Sequence, residues 1–248
     1  MNTIKKIGSF ILVALLGLTL LAGCGSSSSG GVLRMGTNAA FPPFEYKEGD
    51  KVVGLDVDIC EKIAEKMGMT LEVVDMEFDS LLPAVNADKC DVVAAGMTVR
   101  PDRELQVDFS ETYYRSTQVV LVGIHDDSIQ TIDDLKGKSI GVQTGTTGEE
   151  EANNIEGAEV RSFSNGLEAT MALKNDQIDL IIIDAEPAKN FVENNSDAIK
   201  IVEIGFADEY YALAVKKGNS ELLEKINAAL KELKEDGALD SLIASYSK

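Results

Sequence analysis

The sequence predicts an α/β protein built from repeated strand-and-helix units, and three observations carry that prediction. Short apolar runs of strand length alternate with longer stretches whose apolar residues recur at helical spacing. The order of these runs, strand then helix then strand, is the pattern of parallel sheets covered by helices. The chain has 248 residues, 44% of them hydrophobic, enough for two small α/β lobes or one large domain and too apolar for global disorder.

The most informative stretch is DVVAAGMTVRPDR, residues 91–103. Residues 91–95 read as a short buried strand, and Gly96 ends it, leaving room for close approach to the backbone. Thr98 offers a hydroxyl. Pro101 suits the first position of a helix, which puts Arg103 in that helix's first turn. A strand end, free helix N–H groups and a guanidinium together make an anion site, and arginine can grip a planar carboxylate with two parallel hydrogen bonds. An ordinary surface arginine on a loop is the alternative that this stretch alone leaves open.

The remaining elements follow in order. Residues 32–36 form a first strand leading into TNAAFPPFEY, whose two prolines predict an extended segment that cannot sit inside a sheet. Phe44 and Tyr46 are expected in the core, while Phe41, nearer the strand end, is the better candidate for stacking on a ligand. Residues 54–67 form a helix with Leu55, Ile59, Ile63 and Met67 on one face, and Asp56 and Asp58 suit the dipole at its start. No third ligand accompanies those two acids, so no metal is expected. A strand at 71–74, Phe78, a helix at 79–87 and an apolar strand at 118–124 complete the first unit.

A second unit opens near Thr131 with a short helix stopped by Gly137, then a strand at 139–142. The following loop, Gln143-Thr144-Gly145-Thr146-Thr147-Gly148, lacks the lysine of a phosphate-cradling loop, so no nucleotide cofactor is expected. It remains a hydroxyl-rich pocket for an anion. A helix from 149, a strand at 160–163, a helix at 166–174 and an isoleucine-rich strand at 179–184 follow, with Asp184 at the strand's end. A helix at 188–193, a strand at 211–215, an amphipathic helix at 222–233 and a last helix at 239–246 close the chain.

The N-terminal segment predicts export. Lys5 and Lys6 precede an apolar run at 7–21 that is too short for a good membrane span, and Leu21-Ala22-Gly23-Cys24 resembles the bacterial lipobox. That resemblance implies a signal peptide at 1–23, lipid on Cys24, and a flexible tether at 24–31. The expected location is outside the cytoplasm, leashed by lipid to the bacterial membrane. A formal net charge of −19 argues against nucleic-acid partners, and three cysteines are too few for a disulfide framework. Cys60 and Cys90 read as buried free thiols, with a disulfide between them as the alternative.

The segments GTNAAFPPFEY, GLDVDICEKIAEKMG, MEFDSLLPAV, DVVAAGMTVRPDR with VDFSETYY, DDLKGKSIGVQTGTTGE, IDLIIIDAEPA and KGNSELLEKINAALKELKEDG recur in the order found in one family. They resemble the polar amino-acid-binding proteins of bacterial ABC importers, the family-3 extracellular solute-binding proteins. The resemblance implies a two-lobed, type II periplasmic-binding-protein fold. Each lobe would be a mainly parallel sheet flanked by helices, with two hinge strands between them. Lobe one would comprise 32–115 and 211–248, and lobe two 116–210. It also implies roles. Arg103 would pair with the ligand's α-carboxylate, helped by Thr98, Thr146 and Thr147. Asp184 would receive the α-ammonium together with the Gly96 carbonyl. Phe41 and Phe78 would sandwich the side chain, and Asn38 and Gln143 would face its far end. The implied partners are a free amino acid and a membrane permease, with the protein itself a monomer and no cofactor.

Departures from the family pattern bear on the ligand. Ala40 stands where many relatives carry an acid, and Asn38 where some have Asp. With no acidic cluster and no second inward cation at the far end, and with Arg100 expected to face solvent, the reading is a neutral polar side chain such as glutamine or cystine. Two other classes stand as alternatives. An enzyme on this fold, such as a cyclic-acid dehydratase, needs a placed general acid. His125 sits in a surface loop, leaving Glu186 as the one suspect. A receptor's sensing domain would need a partner chain to carry the signal.

Overall fold

The computed structural model describes residues 30–246; the lipobox, Cys24 and most of the tether lie outside them. Two sheets organise the chain. The first has the strand order Thr70–Asp75, Val32–Thr37, Val92–Val93, Ala214–Lys216, Val107–Phe109. The second has the order Glu159–Phe163, Ser139–Gln143, Leu180–Asp184, Tyr114–Gly123, Ile199–Val202.

Both sheets are mainly parallel, as expected: in each, one strand of the five runs against the other four. In each, three neighbouring strands are parallel. Ala214–Lys216 runs antiparallel to its neighbours in the first sheet, and Tyr114–Gly123 does so in the second. The physical reason is the route of the chain. Parallel neighbours need a helical crossover, whereas a strand arriving from the other lobe needs none and can pair antiparallel. The two connections between lobes lie side by side: Asp208–Tyr211 pairs with the start of Tyr114–Gly123, from Asp208 opposite Thr117 to Tyr211 opposite Tyr114. The single strand expected at 211–215 is therefore two, one in this ribbon and one in the first sheet.

Local sequence explains the helices that brace the sheets. Helix Leu55–Lys66 buries Leu55, Ile59 and Ile63 and leaves Glu61, Lys62 and Glu65 exposed. Gly54 precedes it at φ 132°, where an added Cβ would lie 2.2 Å from the Phe44 carbonyl oxygen, so no other residue fits. Helix Ser220–Glu235 starts where the Asn219 side chain accepts the Leu222 N–H, and it buries Ile226, Leu230 and Leu233. The helix expected at 79–87 begins as a 3₁₀ turn, Phe78–Ser80, before Leu81–Asn86.

The proline segment is also corrected in part. Ala40–Phe41, Glu45–Glu48 and Lys51–Val53 form a small antiparallel sheet outside the two main ones. Pro42 and Pro43 fall between its first two strands, where no ladder N–H is required. Phe44 is fully buried against Tyr114 and Tyr211, with ring centroids 4.9 and 5.1 Å away, whereas Tyr46 is only half-buried. Cys60 and Cys90 are free, buried and in separate apolar clusters, so the disulfide alternative is not realised.

Candidate functional site

The site begins at the Gly96 turn. Strand Val92–Val93 and the buried Ala94 and Ala95 deliver the chain to Gly96, whose φ is +52°. A Cβ there would lie 2.7 Å from the Phe41 ring, so glycine serves both the backbone and the ring. The turn is tethered from below: Gly96 N–H donates to Asp56 Oδ2 at 2.9 Å, and the Tyr113 hydroxyl donates to the same carboxylate at 2.7 Å. Asp56 is therefore more than a helix-start acid. Burial pushes its carboxyl up to about 6 even though these bonds favour the ionised form. Among the described residues no group of side chains is arranged to hold a metal ion.

Arg103 lies in the short helix Pro101–Glu104, with Pro101 at its start as the sequence predicts, and is 4% exposed. Its Nη1 donates to the Thr98 carbonyl at 2.8 Å, and its Nη2 reaches the other lobe, donating to the Gly145 carbonyl at 2.9 Å. The guanidinium carbon sits 5.5 Å from the centre of the Phe78 ring. Burial lowers its pKa to about 10, which leaves it a cation at neutral pH.

The hydroxyls beside it are engaged. Thr98 Oγ1, from the first lobe, donates to Glu209 Oε2 at 2.6 Å, and Thr147 Oγ1, from the second, donates to the same oxygen at 3.0 Å. Gln118 Nε2 donates to Thr147 Oγ1 at 3.1 Å, which orients that hydroxyl. Thr146 caps helix Thr147–Asn153 by accepting the Glu149 N–H.

Asp184 ends the apolar strand Leu180–Asp184 and is 7% exposed. Its Oδ1 accepts the hydroxyls of Tyr211 and Ser116, so both crossing strands seat it. Burial, and then the charge of Glu209, raise its pKa to about 7, against these hydrogen bonds. On the opposite wall, Gln143 Nε2 donates to Asn38 Oδ1 at 2.9 Å and to the Ser164 carbonyl at 3.1 Å, while Asn38 Nδ2 donates to the Met76 carbonyl.

All the residues singled out from the sequence in the described chain line one cavity: Asn38, Phe41, Phe78, Gly96, Thr98, Arg103, Gln143, Thr146, Thr147 and Asp184. Its volume is about 10 Å³, room for about one water, so a larger guest needs the lobes to part. Glu45 also lines it and was not foreseen. It is 1% exposed, and its buried Oε2 has no hydrogen-bond partner among the described residues. Burial first, then the facing Asp56, hold its carboxyl well above the usual range. Glu209 escaped notice because its partners stand 111 and 62 residues away and no local pattern marks it.

Two expectations about charged residues change. Arg100 does not simply face solvent. It pairs with Asp102 at 2.8 Å and, across the cleft, with Glu150 at 3.1 Å. Glu186, the one acid suspected of catalysis, pairs with Lys189 at 2.7 Å and does not line the cavity.

Comparison with known proteins identifies the family. Residues 33–248 match the family described as bacterial extracellular solute-binding proteins, family 3. The chain is similar to the arginine-binding extracellular protein ArtP of Bacillus subtilis (strain 168), 38% identical over 242 residues and covering 94% of each chain. Among solved structures it is similar to an ancestral arginine-binding protein bound to arginine, at 43% identity and a TM-score of 0.85, covering 88% of this chain and 99% of that one. An ancestral arginine-binding protein bound to glutamine matches at 43% identity and a TM-score of 0.82, covering 88% and 98%. Each of these relatives is an arginine-binding protein.

Proposed function

Since the chain belongs to the bacterial extracellular solute-binding proteins of family 3, we propose that it captures a free amino acid between its lobes and delivers it to the permease of an ABC importer. One observation carries this reading. A buried cation, Arg103, and a buried acid, Asp184, come from different lobes and line the same cavity. A zwitterion needs one fixed charge of each sign. Both grips are complete only when the lobes close, so affinity and closure become one event. The ligand's side chain would lie between Phe41 and Phe78 and end at the uncharged amides Asn38 and Gln143. Those amides support a neutral polar side chain, glutamine or cystine. Arginine is the second reading, favoured by the names of the relatives. Delivery would take place outside the cytoplasm, with a monomer tethered through lipid on Cys24.

Titration calorimetry with glutamine, cystine and arginine tests the reading, followed by the best ligand with its carboxylate amidated or its amine acetylated. Each blocked form should lose on the order of 2–5 kcal/mol, because it leaves a buried charge without its partner. Arg103→Lys should also bind poorly, since the two-point grip is lost. If the blocked forms bind as well as the free amino acid, the reading fails.

A further inference from the structure

Glu209 has the bonding pattern of a guest while belonging to the protein. Its carboxylate oxygen accepts one hydroxyl from each lobe, Thr98 at 2.6 Å and Thr147 at 3.0 Å. It lies near enough to Arg103 to support the guanidinium's charge and near enough to Asp184 to disfavour ionisation there. Two hydroxyl donors beside a guanidinium are what a free carboxylate would seek. Its backbone is on the return crossing strand Asp208–Tyr211, opposite Ser116 on the outgoing one, so the hinge ribbon positions it.

We infer that Glu209 is an internal counter-ligand. It accepts the hydrogen bonds of the Thr98 and Thr147 hydroxyls, ties the hinge to both lobes, and lowers the site's affinity for the carboxylate of an incoming ligand. The inference rests on the reading that the ligand's carboxylate is held at Arg103. Each threonine hydroxyl has one proton to donate. While that proton serves Glu209 it cannot serve a second carboxylate. An arriving carboxylate must draw the hydroxyls away, or rest on Arg103 without them, and in either case it meets a like charge in a poorly solvated cleft. A role confined to bracing the hinge would not distinguish a ligand that carries a carboxylate from one that does not.

That difference is the test. Glu209→Gln keeps an oxygen that accepts both hydroxyls and removes the charge. Calorimetric titration of the full chain with the best amino acid and with its α-amide should show about tenfold tighter binding of the free amino acid to the variant. The α-amide should change by less than about twofold. Equal changes for both ligands, no change, or weaker binding of the free acid would overturn the inference. Glu209→Ala, which removes both hydroxyl contacts, is read by small-angle X-ray scattering without added ligand. A larger radius of gyration upholds the tie between lobes, and an unchanged one overturns it. If no amino acid binds even the parent protein, the transport reading fails, while the scattering comparison still decides whether Glu209 holds the lobes.

Discussion

Lowering the pH from 8 to 5 should weaken amino-acid binding about a hundredfold, with Asp184 as the titrating group. The carboxyl is buried beneath the cleft, faced by the hydroxyls of Tyr211 and Ser116, the Gln118 amide and the Glu209 charge, and its pKa is pushed up to about 7. Only the ionised form pairs with an ammonium. Below pH 7 each unit costs about tenfold in apparent affinity, so two units amount to about 2.7 kcal/mol. Binding should therefore release a proton at pH 6, visible as a heat that depends on the buffer's ionisation enthalpy. The same shift has a stability sign. Between pH 4 and 7 the folded protein holds a proton on Asp184 that the unfolded chain has lost, so the protein without ligand should become less stable as pH rises through that window. Asp56, raised to about 6, adds the same slope up to about pH 6. The assay is calorimetry at pH 5, 6, 7 and 8 in two buffers, repeated with Asp184→Asn. Affinity that stays level in the parent protein, or a slope between pH 6 and 8 that survives in the variant, would refute the assignment.

Two further outcomes are expected. Phe78→Ala should weaken binding by about 1–3 kcal/mol while the protein stays folded, because the ring is only half-buried and its inner face supports Arg103. Unaltered affinity in a folded variant would return Phe78 to simple packing. Cys24→Ala should shift the protein from the membrane fraction to the soluble one, and an unchanged distribution together with unchanged precursor processing would dispose of the lipid anchor.

Where one short stretch held the chemistry, sequence and structure agree. Pro101 announces the helix that carries Arg103, and Gly96 stands where the backbone takes a positive φ against the Phe41 ring. Local sequence points Arg100 to solvent, because its partner Glu150 lies on the other lobe. Strand-helix alternation marks both sheets as mainly parallel; the one antiparallel strand of each escapes it, because alternation says nothing about a strand that crosses between lobes.

By itself the sequence determined the alternation of strands and helices, the glycines that certain turns require, and the short stretch that carries Gly96, Thr98 and Arg103. These are local quantities, set by side-chain periodicity, backbone sterics and the chemistry of a few neighbouring residues. Only the tertiary structure decided how those residues are bonded. Glu209 reaches Thr98 and Thr147, Asp56 reaches Gly96, and the Glu45 carboxyl is raised above its usual range by burial and by Asp56, all through contacts between distant parts of the chain. Hydrogen bonding and desolvation act through space, and both depend on which groups the folded chain brings within about 3 Å of one another and shields from water.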